Sequence, residues 1–181
     1  MKMRETGFKD LYIFEHEITS DNRGDFVKIY RSESFSGLKS HERFRECFYT
    51  VSKKGVIRGM HFQLPPNAQD KLVTVVTGEI EDVVIDLRKD SPTFLRNFSI
   101  EISSSSGLSV YIPVGFAHGF KTLEDRTTVL YLTSSIYHQE SDAGIRYSSF
   151  GYGWKIDEPI LSERDLKLPM LEDFKTPFQM V

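Results

Sequence analysis

Four basic side chains, Arg58, His61, Lys71 and His118, stand where acid–base chemistry can be built. His61 follows Gly55 after five residues, and Gly107 is followed after five residues by Pro113-x-Gly115-x-x-His118. An imidazole with an ordinary pKa of roughly 6.5 is mostly neutral at cytosolic pH and can accept a proton. A guanidinium and an ammonium beside it favour a negatively charged substrate. A lone histidine is more often a packing or surface residue. Here His61 lies between Arg58 and Lys71 on runs whose inward faces would line one interior, and that shifts the weight towards a site.

Such side chains need a frame, and the chain offers strands. Short apolar or alternating runs occur at Leu11–Phe14, Phe26–Tyr30, Cys47–Ser52, Val56–Met60, Lys71–Thr77, Ile80–Leu87, Phe98–Ile102, Leu108–Ile112, Gly119–Thr122 and Thr127–Thr133. Breakers separate them, among them Asp21-Asn22-Arg23-Gly24, Lys53-Lys54-Gly55 and Leu64-Pro65-Pro66-Asn67. Helical signals are weak. Ser32 to Arg43 could hold a turn or two, and Ser162 is placed to cap a short C-terminal helix beginning Glu163-Arg164-Asp165. Many short antiparallel strands with little helix predict an all-β jelly roll or sandwich.

The 181 residues suit one domain, expected to span 1–181. Lys+Arg of 23 against Asp+Glu of 26 gives a net charge of −3, with the basic residues scattered, so a nucleic-acid footprint is missing. Cys47 is the single cysteine, which excludes an intrachain disulfide and fits a reducing cytosol. The first ten residues carry charges throughout, and no apolar run approaches a membrane span, so a cytoplasmic protein without a membrane partner is expected.

The two glycine-to-histidine phrases resemble the paired motifs of cupins, which are double-stranded β-helix jelly rolls. In metal-binding cupins the first motif holds His-x-His and a nearby Glu. Here those positions are His61-Phe62-Gln63 and Lys71, which precedes Gly78 with six residues between. An ammonium in place of a carboxylate removes an anionic ligand and adds a like charge, so the expectation is no metal and no other cofactor.

A longer series of phrases is more specific. Asp21-x-Arg23-Gly24-x-Phe26, Gly55-Val-Ile-Arg58-Gly59-Met-His61-Phe-Gln63, Lys71-Leu-Val, Gly78-Glu-Ile-x-Asp82, Asp86-Leu-Arg88-x-x-Ser91-Pro92-Thr93-Phe94, Ile112-Pro113-x-Gly115-Phe116-Ala117-His118-Gly119-Phe120 and Leu161-Ser162-x-x-Asp165 occur in order. Together they resemble the dTDP-4-dehydrorhamnose 3,5-epimerase family. The resemblance implies a nucleotide-linked 4-keto-6-deoxy sugar, whose ketone acidifies the hydrogens on C3 and C5. It implies His61 as base, Asp165 as its carboxylate partner, Tyr131 as the acid on the opposite face, and Lys71 beside the enolate oxygen. It places Arg23, Phe26, Arg58, His118, Tyr137 and Asp142 around the substrate. It also implies a homodimer with exchanged N-terminal strands, through which Arg23 would reach the partner's site.

The resemblance also places Lys28, Glu46 and Phe48 around the substrate, and at these three positions the chain departs from the family pattern, with Thr50 replacing a serine beside them. The family's Gln-x-Asn-x-Ser reads Glu46-Cys47-Phe48-Tyr49-Thr50, and the family's Glu after the Arg-Gly-x-Phe turn is Lys28. The nucleotide and the number of inverted carbons stay open on these grounds. A ketoisomerase of nucleotide deoxysugars and a non-catalytic sugar-binding cupin are the competing readings, and the pair His61 and Tyr131 favours epimerisation over both.

Overall fold

The computed structural model describes residues 1–38 and 44–180. Thirteen strands occur among them: β1 (Lys2–Glu5), β2 (Tyr12–Glu15), β3 (Ile18–Asp21), β4 (Gly24–Val27), β5 (Glu46–Ser52), β6 (Ile57–Gln63), β7 (Lys71–Thr77), β8 (Glu79–Asp86), β9 (Asn97–Ser103), β10 (Leu108–Ile112), β11 (Phe116–Thr122), β12 (Thr127–Thr133) and β13 (Asp142–Gly144). Every strand pairing is antiparallel. Two sheets form the jelly roll, one of order β1-β2-β10-β7-β12-β5 and one of order β13-β6-β11-β8-β9. Strands β3 and β4 make a separate hairpin.

Side-chain alternation explains how the sheets close on one another. Along β12, Thr127, Val129, Tyr131 and Thr133 are buried while Thr128, Leu130 and Leu132 are half-buried, as the period of two in a strand requires. Strand β8 is buried on both faces. Ile80 and Val84 join the core between the sheets with Val73, Val129 and Phe120, and Val83 and Ile85 pack outward beneath Trp154 and Phe178 of the C-terminal segment. Each such side chain contributes roughly 1.5–3 kcal/mol by leaving water.

The strands differ from the sequence expectation mainly at the edges. Lys2–Glu5 is fully exposed and carries three charges, so apolar content did not reveal it; it is the outer strand beside β2, where charge is tolerated. The expected run Phe26–Tyr30 is instead Gly24–Val27, because Asp21 pairs with Gly24 and the two-residue turn Asn22-Arg23 fixes the register. Of the helix expected from Ser32 to Arg43, a 3-10 turn over Ser32–Phe35 forms. The part at 39–43 lies outside the described residues. The C-terminal helix is α1 (Glu163–Leu166), capped as expected by Ser162, whose Oγ accepts from the Asp165 amide at 3.1 Å. Among the described residues no helix is long and apolar enough to cross a membrane.

Candidate active site

Inward side chains from both sheets meet in a cleft of about 350 Å³. The six-stranded sheet supplies Phe48 and Thr50 from β5, Lys71 from β7 and Tyr131 from β12; the five-stranded sheet supplies Arg58 and His61 from β6 and His118 from β11. Tyr137, Asp142 and Arg164 close the mouth.

Arg58 and His61 are three residues apart, and on a regular strand they would point to opposite faces. A bulge in β6 removes that conflict. His61 pairs with His118 but Arg58 pairs with Phe120, so β6 carries one extra residue at Gly59-Met60. Gly59 has φ +139°, and a Cβ there would meet the Gly119 Cα at 2.5 Å. Glycine is therefore required where the two backbones approach.

After β13 pairs with β6, the chain returns to the start of that strand. The Ile57 amide donates to the Ile160 carbonyl and the Ile160 amide to the Gly55 carbonyl, both at 3.0 Å. This clip sets α1 behind His61. His61 Nε2 and Asp165 Oδ1 lie 2.6 Å apart, and the Gly59 amide donates to Asp165 Oδ2 at 3.3 Å. With Nε2 donating to the carboxylate, Nδ1 keeps the lone pair and is the basic atom. Burial pushes the Asp165 carboxyl up, but hydrogen bonding from His61 and the Gly59 amide, with the Arg164 charge, more than offsets this and holds the acid below its ordinary range. Burial lowers the His61 pKa against the opposing pull of Asp165, and the nearby Arg164 and Lys71 charges lower it further. The imidazole is thus held as a neutral base.

Lys71 Nζ donates to the His61 carbonyl at 3.0 Å. Burial lowers its pKa to about 8, although the Asp142 and Asp82 carboxylates favour the charged form. Tyr131 is pushed well above the ordinary phenol value by burial and by the Asp82 charge. A second buried pair, His118 Nε2 with Asp82 Oδ2 at 2.7 Å, stands beside it, and the His118 ring meets Tyr131 edge-on at 6.2 Å.

The structure brings His61, Lys71, Arg58, Phe48, His118, Tyr131, Tyr137 and Asp142 to one cleft, with Asp165 directly behind. Glu46 stands just outside and accepts from the Tyr137 amide at 3.0 Å. Arg23, Phe26 and Lys28 lie elsewhere: Arg23 pairs with Asp21 on the exposed hairpin, Phe26 is 64% exposed, and Lys28 lines a separate surface hollow. Two site residues escaped the sequence reading of roles. Arg164 Nη1 lies 3.1 Å from His61 Nε2, while its Nη2 donates to Asp142 Oδ1 at 2.7 Å; its adjacency to Asp165 was the available signal. Asp82, an acid inside the apolar run Ile80–Leu87, was the other. Among the described residues no group of three or more His, Cys, Asp and Glu side chains is placed to hold a metal ion.

The family model described as dTDP-4-dehydrorhamnose 3,5-epimerase matches residues 5–173. The chain belongs to this epimerase family. It is accordingly an isomerase by class. The dTDP-4-dehydrorhamnose 3,5-epimerase of Shigella flexneri is 37% identical over 169 residues, covering 92% of this chain and 93% of that protein. The family member from Bacillus anthracis, solved with TDP and PPi bound, is 38% identical with a TM-score of 0.90 and covers 94% of this chain and 99% of that one. The Legionella pneumophila dTDP-6-deoxy-D-glucose-3,5-epimerase, solved in complex with dTDP-4-keto-L-rhamnose, is 32% identical with a TM-score of 0.92 and covers 99% of each chain. The epimerase family fold thus extends over nearly the whole length of this chain.

Proposed function

We propose that this protein epimerises a dTDP-linked 4-keto-6-deoxyhexose at C3 and C5 through an enolate. One observation carries the reading: His61 and Tyr131 belong to opposite sheets and line the same cleft, which Lys71 also lines while donating to the His61 carbonyl. His61 Nδ1 takes the proton from the carbon next to the ketone, and the C–H electron pair moves to make the enolate with its charge on the C4 oxygen. The Lys71 ammonium stabilises that oxyanion where burial keeps the field strong. Tyr131 then gives its hydroxyl proton to the same carbon from the other face, inverting it. Its raised pKa keeps the phenol protonated until the enolate is present. Transfer of the proton from His61 to the tyrosinate through solvent restores both groups for the second carbon. Arg58 and Arg164 suit the diphosphate.

The reading includes a homodimer working in the cytosol. Among the described residues the hairpin of β3 and β4 forms a sheet of its own, and Phe26 on it is exposed. Exposed Tyr49, Val51 and Val76 give the six-stranded sheet an apolar outer face of the kind that marks an interface. In such a dimer Arg23, Phe26 and Lys28 would serve the neighbouring cleft, with residues 1–181 acting as one catalytic domain. A phenol opposite the base favours inversion over movement of the carbonyl and over binding alone.

Proton NMR in heavy water against dTDP-, GDP- and CDP-linked 4-keto-6-deoxyhexoses tests the proposal. The expected result is loss of the C3 and C5 proton signals for the dTDP sugar, abolished in His61→Asn. Exchange that persists in that variant removes His61 from the mechanism, and preference for another nucleotide overturns the dTDP assignment.

A further inference from the structure

Phe48 occupies an unusual position for an apolar ring: the edge strand β5, half-exposed at 40%, yet turned into the cleft. It pairs directly across the strands with Tyr131. The two rings lie 4.8 Å apart and only 13° from parallel, whereas His118 meets Tyr131 edge-on at 68°. Tyr131 is thus held by a ring on its face and a ring at its edge. Tyr131 is 7% exposed, and the Phe48 ring covers one of its faces. A small polar side chain at position 48 would leave the phenol that face to turn into.

We infer that Phe48 is a positioning residue that holds the Tyr131 phenol in line with the reacting carbon, so that the enolate is protonated on the face opposite His61 rather than returned from the face it left. This rests on the epimerase reading above, in which Tyr131 is the acid. Its chemical content is a division of labour. Proton removal by His61 needs no contact with Phe48, so exchange with solvent should be insensitive to the ring. Inversion requires the hydroxyl proton at the carbon within hydrogen-bond reach, and a loosened acid loses that geometry. Once formed, the enolate then partitions back through His61, giving deuterium incorporation without inversion.

The experiment compares Phe48→Leu and Phe48→Tyr with the unmodified protein on the dTDP-linked 4-keto sugar in heavy water, following deuterium wash-in and inverted product separately. Phe48→Leu should keep wash-in within about twofold while net inversion falls ~10-fold. Phe48→Tyr, which keeps a ring to stack, should restore inversion to within about twofold. Combining Phe48→Leu with Tyr131→Phe should add no further loss, because both act on one step. Unchanged inversion in Phe48→Leu overturns the inference, as does an equal fall in wash-in and inversion, which would make Phe48 a binding residue only. Normal inversion in Tyr131→Phe alone overturns instead the reading on which the inference stands. Circular dichroism and thermal melting of each variant separate these outcomes from misfolding.

Discussion

Asp165 and His61 stand 104 residues apart in sequence and 2.6 Å apart in space. The carboxylate is nearly buried and is held by the His61 ring and the Gly59 amide, so it fixes the ring's orientation as well as its tautomer. Replacing Asp165 by Asn should lower kcat by ~10²–10⁴-fold through the wrong tautomer, with KM little changed. Steady-state kinetics on the dTDP-linked substrate checks this; a change confined to KM would make Asp165 a binding residue.

Tyr131→Phe removes one hydroxyl from a buried ring and leaves its stacking on Phe48 in place. Net inversion should fall while wash-in at C3 partly survives, because the base still works. Product analysis by NMR reads both. Equal turnover would take the acid role from Tyr131.

The pH profile follows from the signs of two shifts. His61 acts as the neutral form and its pKa is lowered, so kcat/KM should rise with pH along a limb below the ordinary ~6.5. Lys71 acts as the charged form, so activity should decline as pH climbs through about 8. Lys71→Arg should move the alkaline limb out of range, since a guanidinium stays charged. Arg164→Gln removes a positive charge beside His61 and should shift the acid limb to higher pH. Limbs that ignore both substitutions would detach these residues from the rate.

Asp86 lies in another buried network, where Arg88 donates from its backbone amide, Nε and Nη2, and Ser91 and Thr93 donate their hydroxyls. Hydrogen bonding from these donors, Arg88 first, lowers its pKa against the cost of burial. Asp86→Ala leaves the buried Arg88 guanidinium only the longer Asp10 pair at 3.7 Å and the Lys9 carbonyl, and should destabilise the fold by ~3 kcal/mol. Urea unfolding measures it; a loss under ~1 kcal/mol, the range of surface pairs, would mean that the network is solvated in solution.

Chelators should leave the rate unchanged, since Lys71 occupies the place where a carboxylate ligand would be needed. Activity measured before and after EDTA treatment decides it. A loss restored by a divalent ion would contradict the proposed proton-transfer chemistry.

The sequence by itself determined the strand-rich class, the breakers between most strands and the identity of the reactive groups. Alternation, turn residues and glycine-to-histidine spacing are local properties, and they are carried by short stretches such as Thr127–Thr133 and Gly55–His61. Ser162 capped its helix as its type required. Tertiary structure alone decided which of these groups meet. The bulge at Gly59-Met60 turns Arg58 to the same side as His61, and the neighbouring strand can lie against it because Gly119 faces Gly59 where the two backbones approach. Asp165 and Arg164 reach His61 because the segment from Ile160 clips onto the start of β6, and Phe48 stacks on Tyr131 because β5 and β12 pair in one particular register. Charged Lys2–Glu5 became a strand because β2 offered it an open edge. These are long-range pairings, in which a partner's backbone supplies the hydrogen bonds and the depth of burial. Neither is written in the residues flanking the site.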